Sequence, residues 1–262
     1  MIFMTAEEFI SAVSAGGTID VDSDIDFNNY YFSNEITIPA NTTINGNGKI
    51  ITNIQQGAYN RIFLLNRYTT INKLNFRNVN LPNGCLLYSI DNREPYKQIN
   101  ECQISGIIHS LHNGNGGYDG IYARAINFYR CSITLERFYA LTGNLNECYV
   151  VLRGNIVKGT SSSWFYFGNT AINTYFKGEL SNESGAINSG TAFSGCCFNV
   201  DISGNATNSV TLNGNTEITV VNSDKLESSL NGNDFCVGVT ESEMHNAKAL
   251  YDKGFNIYVP GD

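Results

Sequence analysis

Ile99-Asn100-Glu101-Cys102-Gln103-Ile104 is one copy of a pattern that recurs along the chain. An apolar anchor is followed by Asn, and further apolar residues stand three and five positions after the anchor. The same arrangement is found in Ile71-Asn72 with Leu74 and Phe76, and in Leu145-Asn146 with Cys148 and Val150. Phe193 leads to Cys196 and Phe198 without the Asn. Ile126-Asn127 carries the anchor and the Asn, but Cys131 and Ile133 count correctly from Phe128, which implies a slip of two residues in that copy. Ile172-Asn173 shows anchor and Asn followed by a blurred continuation through Phe176.

A constant short motif at variable spacing is the signature of fixed strands joined by loops of different length. Within each copy the apolar residues alternate with polar ones, as in Phe198, Val200 and Ile202, which is the period of a half-buried strand. Helical periodicity is missing between about residues 17 and 222. If equivalent residues lie above one another, successive strands must run parallel. The expected fold is therefore all-β: a single right-handed parallel β-helix (solenoid) over 18–222, with a short capping helix at each end. Cys102, Cys131, Cys148 and Cys196 should form one interior column of small apolar thiols. Asn72, Asn100, Asn127, Asn146 and Asn173 should form a second column at a turn, bonded amide to amide. A metal or redox site is the competing reading of the cysteines, but no His column accompanies them and their spacing fits no zinc motif.

The ends carry helix signals. Thr5-Ala6-Glu7-Glu8 is a capping box, Phe9, Ile10 and Val13 give one apolar face, and Gly16-Gly17 stops the helix, so 1–17 reads as the N-terminal cap. Thr240-Glu241-Ser242-Glu243 repeats the device, followed by a stripe of Met244, Ala247, Leu250 and Tyr251, then Lys253, Gly254 and a strand-like Phe255–Val259. The segment 223–262 is expected to be a C-terminal cap or a small attachment module.

Composition narrows the function classes. Only 15% of the 262 residues are charged, and 24 Asp and Glu against 16 Lys and Arg leave a net charge of −8. Nucleic-acid binding needs a concentrated basic surface, which is not present. No apolar run approaches the roughly 20 residues of a membrane span. Met1-Ile2-Phe3-Met4 is followed at once by Glu7 and Glu8 with no basic segment, so no secretory signal peptide is read. Synthesis in a host cytoplasm and release within a virus particle is the expected route, with free thiols.

The stretch Thr42-Thr43-Ile44-Asn45-Gly46-Asn47-Gly48-Lys49-Ile50-Ile51 resembles the first full coil of the pectate-lyase-like superfamily of parallel β-helices. That resemblance implies the fold and is shared by lyases, hydrolases and phage tailspikes alike. The Thr240–Ile257 stretch is similar to the ends of β-helix structural proteins of phages of low-GC Gram-positive bacteria.

A fold of this kind does not dictate a function, which must come from particular residues. In the resembling lyases, clustered acids hold calcium beside a basic residue, and hydrolases use two or three close carboxylates. The acids within the coils are Asp91, Glu94, Glu101, Asp119, Glu136, Glu147, Glu179 and Asp201, with Asp201 read as standing alone. The candidate catalytic patch joins the Asp91–Glu94 excursion to His109, His112, Asp119 and Arg124, where His with carboxylates could do acid–base work. The bland reading is a solvated loop. Gly114–Gly117 lacks the Lys-Ser/Thr of a phosphate loop. The outward pair of Trp164-Phe165-Tyr166-Phe167 suits sugar rings or another subunit.

The expected function is a non-enzymatic phage virion protein, structural or host-adhesive, with a polysaccharide-degrading lyase or hydrolase as the alternative. Expected partners are other virion subunits, a homotrimer arrangement and a host surface glycan. No cofactor, metal, nucleic acid or membrane insertion is expected.

Overall fold

The computed structural model describes residues 4–59, 61–89, 97–110, 126–137, 140–141, 143–153, 165–167, 170–182, 187–189, 192–204, 210–212, 219–222, 236–244 and 246–252. It is a parallel β-helix. One wall is an eight-stranded sheet that takes one short strand from each successive coil: Thr18–Asp20, Thr43–Asn45, Thr70–Asn72, Lys97–Asn100, Ile126–Tyr129, Asn144–Asn146, Thr170–Ile172 and Ala192–Ser194. The remaining walls form a 16-stranded sheet containing longer strands such as Gln103–Ser110, Tyr175–Asn182 and Cys197–Gly204. The strand pairs along the eight-stranded wall are all parallel.

From Thr18–Asp20 to Thr170–Ile172, the second residue of each three-residue strand and the first and third of each four-residue strand point inward. The register stacks Ile44, Ile71, Ile99, Phe128, Leu145 and Ala171 in one column, all buried. Two anchors expected from the sequence are corrected by this register. Ile126 pairs with Lys97, so Phe128 is the anchor of its coil. Ile172 pairs with Asn146 on the outer side and is exposed, so Ala171 is the anchor.

The Asn column is corrected with them. Asn72 donates to Asn45 at 3.1 Å, Asn100 to Asn72 at 2.9 Å, and Asn45 to Asp20 at 2.9 Å. Tyr129, not Asn127, is in register with Asn100 and Asn146. Asn127 belongs to the neighbouring outer column, where it accepts from Asn144 at 2.8 Å. Asn173 is the turn residue itself, with φ 48°.

That turn sets the register. From Ile71 onward the residue two after the anchor is left-handed: Lys73, Glu101, Arg130, Glu147, Asn173 and Gly195, with φ from 48° to 60°. Such a conformation costs an L-residue roughly 1–2 kcal/mol. The cost is offset because the turn N–H extends the inter-coil ladder through the corner. Lys73 N donates to Asn100 O at 2.9 Å, Glu101 N to Tyr129 O at 2.8 Å, and Glu147 N to Ile172 O at 3.0 Å. The side chains at this corner alternate in sign and pair, Lys73 with Glu101 at 3.4 Å and Arg130 with Glu147 at 2.6 Å. Both pairs are solvent-exposed and add little stability.

The cysteine column follows one position later. Each thiol donates to the carbonyl two residues before it and to the anchor carbonyl of the preceding coil: Cys131 to Tyr129 and Ile99, Cys148 to Asn146 and Phe128, Cys196 to Ser194 and Ala171. Thr174 takes the same position between Cys148 and Cys196 and donates to Ile172 O at 3.0 Å. A small side chain with one weak donor suits a buried corner where carbonyl lone pairs need partners.

At the N-terminal end the helix Ala6–Ala15 is closed by the expected capping box: Thr5 Oγ1 accepts from Glu8 N at 3.2 Å and Glu8 Oε2 from Thr5 N at 2.8 Å. Its Ala6, Phe9 and Val13 are buried on the first coil, with the Phe9 ring edge-on to Phe27 and Phe63. At the other end the second capping box forms, Glu243 N donating to Thr240 Oγ1 at 3.4 Å and Thr240 N to Glu243 Oε2 at 2.9 Å. The continuous helix expected there is broken into Glu241–Met244 and Ala247–Asp252. Asn246 lies between them and its side chain accepts from Ala249 N at 3.1 Å, starting a new helix instead of continuing the old one. Lys253, Gly254 and 255–259 lie outside the described residues.

Candidate functional site

Of the candidate catalytic patch, only the backbone of His109 is described, in the strand Gln103–Ser110. Asp91, Glu94, His112, Asp119 and Arg124 lie outside the described residues. Within the aromatic cluster, Phe165–Phe167 is a strand pairing with Ala140–Leu141 and Ile187–Ser189, while Trp164 lies outside.

The acids of the coils are distributed by the register. Glu101 and Glu147 serve the turn column described above. Asp201 does not stand alone: its strand places it directly beside Glu179 of the preceding coil. The variable loops between the two coils hid this neighbour in the linear sequence. The two positions stand one coil apart, roughly 4.8 Å along the stack.

A second group was missed. Arg61, Leu64, Cys85 and Tyr88 come together because Arg61–Leu65 pairs with the strand ending at Tyr88. Arg61 Nη1 donates to the Tyr88 hydroxyl at 2.7 Å, and its Cζ lies 4.6 Å from the Tyr88 ring centre and 5.8 Å from that of Tyr59. Burial pushes the Tyr88 phenol up, and the nearby Glu35 charge acts in the same direction while Arg61 opposes it. Arg61 Nε and Glu35 Oε2 are buried without a hydrogen-bond partner. Glu35 also lines an open groove of about 430 Å³ beside the capping helix, with Ile10, Ser14, Tyr30 and Thr37. The signal available in the sequence was one Arg between two Tyr at separations that only the coil lengths could interpret.

Lys97 was also missed. It is fully buried and in register with Ile126, at the inward-facing first position of its strand.

The thiols are built for packing. Burial pushes Cys196 and Cys197 up to about 12 from an ordinary 9.0, and Cys148 rises through its bond to Cys131 and burial. A thiol with a raised folded pKa stabilises the fold fully below its unfolded value and loses that contribution as pH rises toward the folded one. Melting temperature should therefore fall between about pH 9 and pH 12. The slope is at most about 1.4 kcal/mol per pH unit for each such thiol. Cys196→Ala should melt lower at neutral pH but show a shallower alkaline decline. An unchanged slope in that variant would contradict the assignment.

The most regular surface is the outer side of the eight-stranded wall. Its first outward column runs Thr43, Thr70, Gln98, Asn127, Asn144 and Thr170, and its second Asn45, Asn72, Asn100, Tyr129, Asn146 and Ile172. All are partly or fully open to solvent.

No family model matches the chain, and no curated protein matches it. Among solved structures the chain is similar to a "putative immunoglobulin A1 protease" from Bacteroides ovatus, at 13% identity over 95% of this chain and 86% of that one, with a TM-score of 0.44.

Proposed function

We propose that this chain is a non-enzymatic bacteriophage virion protein, a structural or host-adhesion component built on its β-helix. One observation carries the reading: described charged and amide side chains of the coils are spent on holding coil to coil. Asp20 accepts from Asn45, Asp24 from Ile50 N and Asp26 from Asn53, while Lys73, Glu101, Arg130 and Glu147 pair across the turns. This is the chemistry of a stiff scaffold. The likeness of the Thr240–Ile257 stretch to phage β-helix proteins supplies the setting, with other virion subunits, a homotrimer arrangement and a host surface glycan as partners. Mass spectrometry and immunogold electron microscopy of purified particles test it. The chain should be present in stoichiometric amount at a fixed position, and its absence from particles would sink the proposal.

A polysaccharide-cleaving activity is the second reading, favoured by the register of Glu179 with Asp201. It requires that the two acids act on a glycosidic bond, so Glu179→Gln and Asp201→Asn would each abolish product formation from a glycan panel.

A further inference from the structure

We propose that the groove beside the N-terminal helix docks an extended, basic peptide of a partner protein, added as a further strand alongside Ile36–Ile38. The proposal deepens the virion reading by giving the chemistry of one partner, and its test does not depend on particles.

The groove, about 430 Å³, is lined by Ile10 and Ser14 of the helix and by residues of the segment 30–39. One side of it is a sheet edge. Ile36–Ile38 pairs with Arg61–Leu65 and with no other described strand. In a parallel pair, the N–H and C=O of one residue point to the same neighbour, and those of the next residue point away from it. Asn66 N donates to Ile38 O at 3.2 Å, so Ile36 and Ile38 turn their amides toward Arg61–Leu65. Thr37 therefore turns its N–H and C=O the other way, and neither has a backbone partner among the described residues. An open N–H and C=O on a strand edge bind the main chain of an extended peptide. The edge is only three residues long, which suits a brief segment.

Glu35 supplies the selectivity. Among the described residues it is the one charged side chain lining the groove. Its Oε2 is enclosed and has no hydrogen-bond partner. Such an oxygen carries its full desolvation cost until a donor reaches it. Ile36 and Ile38 are buried and Thr37 is exposed, so alternation puts Glu35 and Thr37 on the outer side, level with the outward side chains of an added strand. A Lys or Arg there becomes the cross-strand neighbour of Glu35. Its aliphatic stem meets Ile10 and Tyr30, both partly buried against the core. The surroundings favour the same sign of ligand: residues 1–60 hold seven carboxylates and one base, Lys49. An acidic peptide would satisfy the edge but set like charges beside Glu35.

The test is fluorescence anisotropy of the full chain with three labelled heptapeptides: alternating Thr and Lys, alternating Thr and Glu, and the Thr–Lys sequence with its backbone N-methylated. The Thr–Lys peptide should bind and the Thr–Glu peptide should not. N-methylation removes the main-chain donors and should weaken binding about tenfold or more. Glu35→Gln keeps the shape of the side chain and should weaken Thr–Lys binding about tenfold. Asp22→Asn, which removes an exposed carboxylate from the first coil, should leave binding unchanged. Thr37→Pro removes the edge N–H, a change an edge strand accepts, and should weaken binding with an unaltered melting curve. If that variant melts lower, Glu35→Gln against Asp22→Asn decides. No binding of the Thr–Lys peptide, equal binding of either other peptide, or equal losses in the Glu35→Gln and Asp22→Asn variants would overturn the proposal. So would self-association of the chain that Thr37→Pro abolishes, which would put a second copy in the groove. Glu35-dependent peptide binding by a chain absent from particles would uphold this inference while defeating the virion reading. Particles that contain the chain, with no peptide binding, would do the reverse.

Discussion

Replacing Gly178 with alanine is expected to destabilise the β-helix by about 4 kcal/mol or more, the range reserved for backbone and core violations. The loss corresponds to a melting temperature lower by about 10 °C. Gly178 has φ 119°, and a Cβ placed there would lie 1.9 Å from the carbonyl oxygen of Leu152. That oxygen belongs to the neighbouring coil, so relief requires separating the coils. Gly106 occupies the equivalent column position, in register with Val79 and Leu135, with φ 140° and a Cβ that would meet the Val79 oxygen at 2.1 Å. The ladder shifts register immediately after it, the mark of a bulge. Gly17→Ala is the matched control. Gly17 also has a positive φ, of 87°, but nothing lies within 4 Å of its Cβ position. It should cost only about 1 kcal/mol of conformational strain. Equal melting temperatures for the Gly17 and Gly178 variants would contradict the packing described.

The second large effect is at the N-terminal cap. Phe9→Ala removes a ring that is 1% exposed and packs edge-on against Phe27 and Phe63 at 6.3 and 6.4 Å. A buried Phe reduced to Ala costs about 3–5 kcal/mol. Here the loss falls on the element that covers the first coil, and an uncovered strand edge is a template for further strands. Light scattering should therefore show concentration-dependent self-association in the variant, together with the lowered melting point. A destabilised variant that stays monomeric would mean that the helix contributes packing but does not protect the edge.

The fold was legible because its core spacing is local. An anchor and a residue three positions later lie on either side of one tight turn, so loop length cannot disturb their count, and the column of Cys102, Cys131, Cys148 and Cys196 stands as read. The capping boxes at Thr5 and Thr240 are equally local. The errors came where a polar residue was trusted over packing. Asn127 and Asn173 follow isoleucines and so imitate the motif, but Phe128 and Ala171 fill the interior column. The left-handed corner was poorly legible, because Lys73, Glu101, Arg130 and Glu147 occupy it in four coils, and only Asn173 and Gly195 are residues that favour it. Those residues are tolerated there by the ladder hydrogen bond their N–H makes to the next coil. Long-range neighbours such as Glu179 with Asp201, or Arg61 with Tyr88, depend on coil lengths that vary from turn to turn. The candidate patch of Asp91, Glu94, His109, His112, Asp119 and Arg124 rested on two such excursions, for which the linear sequence provides no register.

Product analysis decides whether this β-helix holds a glycan without cutting it, as proposed. Purified chain would be incubated with host surface polysaccharide, and the mixture assayed for new reducing ends and unsaturated sugars. Polysaccharide should remain bound to the protein and unchanged in length. Accumulating oligosaccharides, lost in the Glu179→Gln and Asp201→Asn variants, would contradict it and make the chain an enzyme.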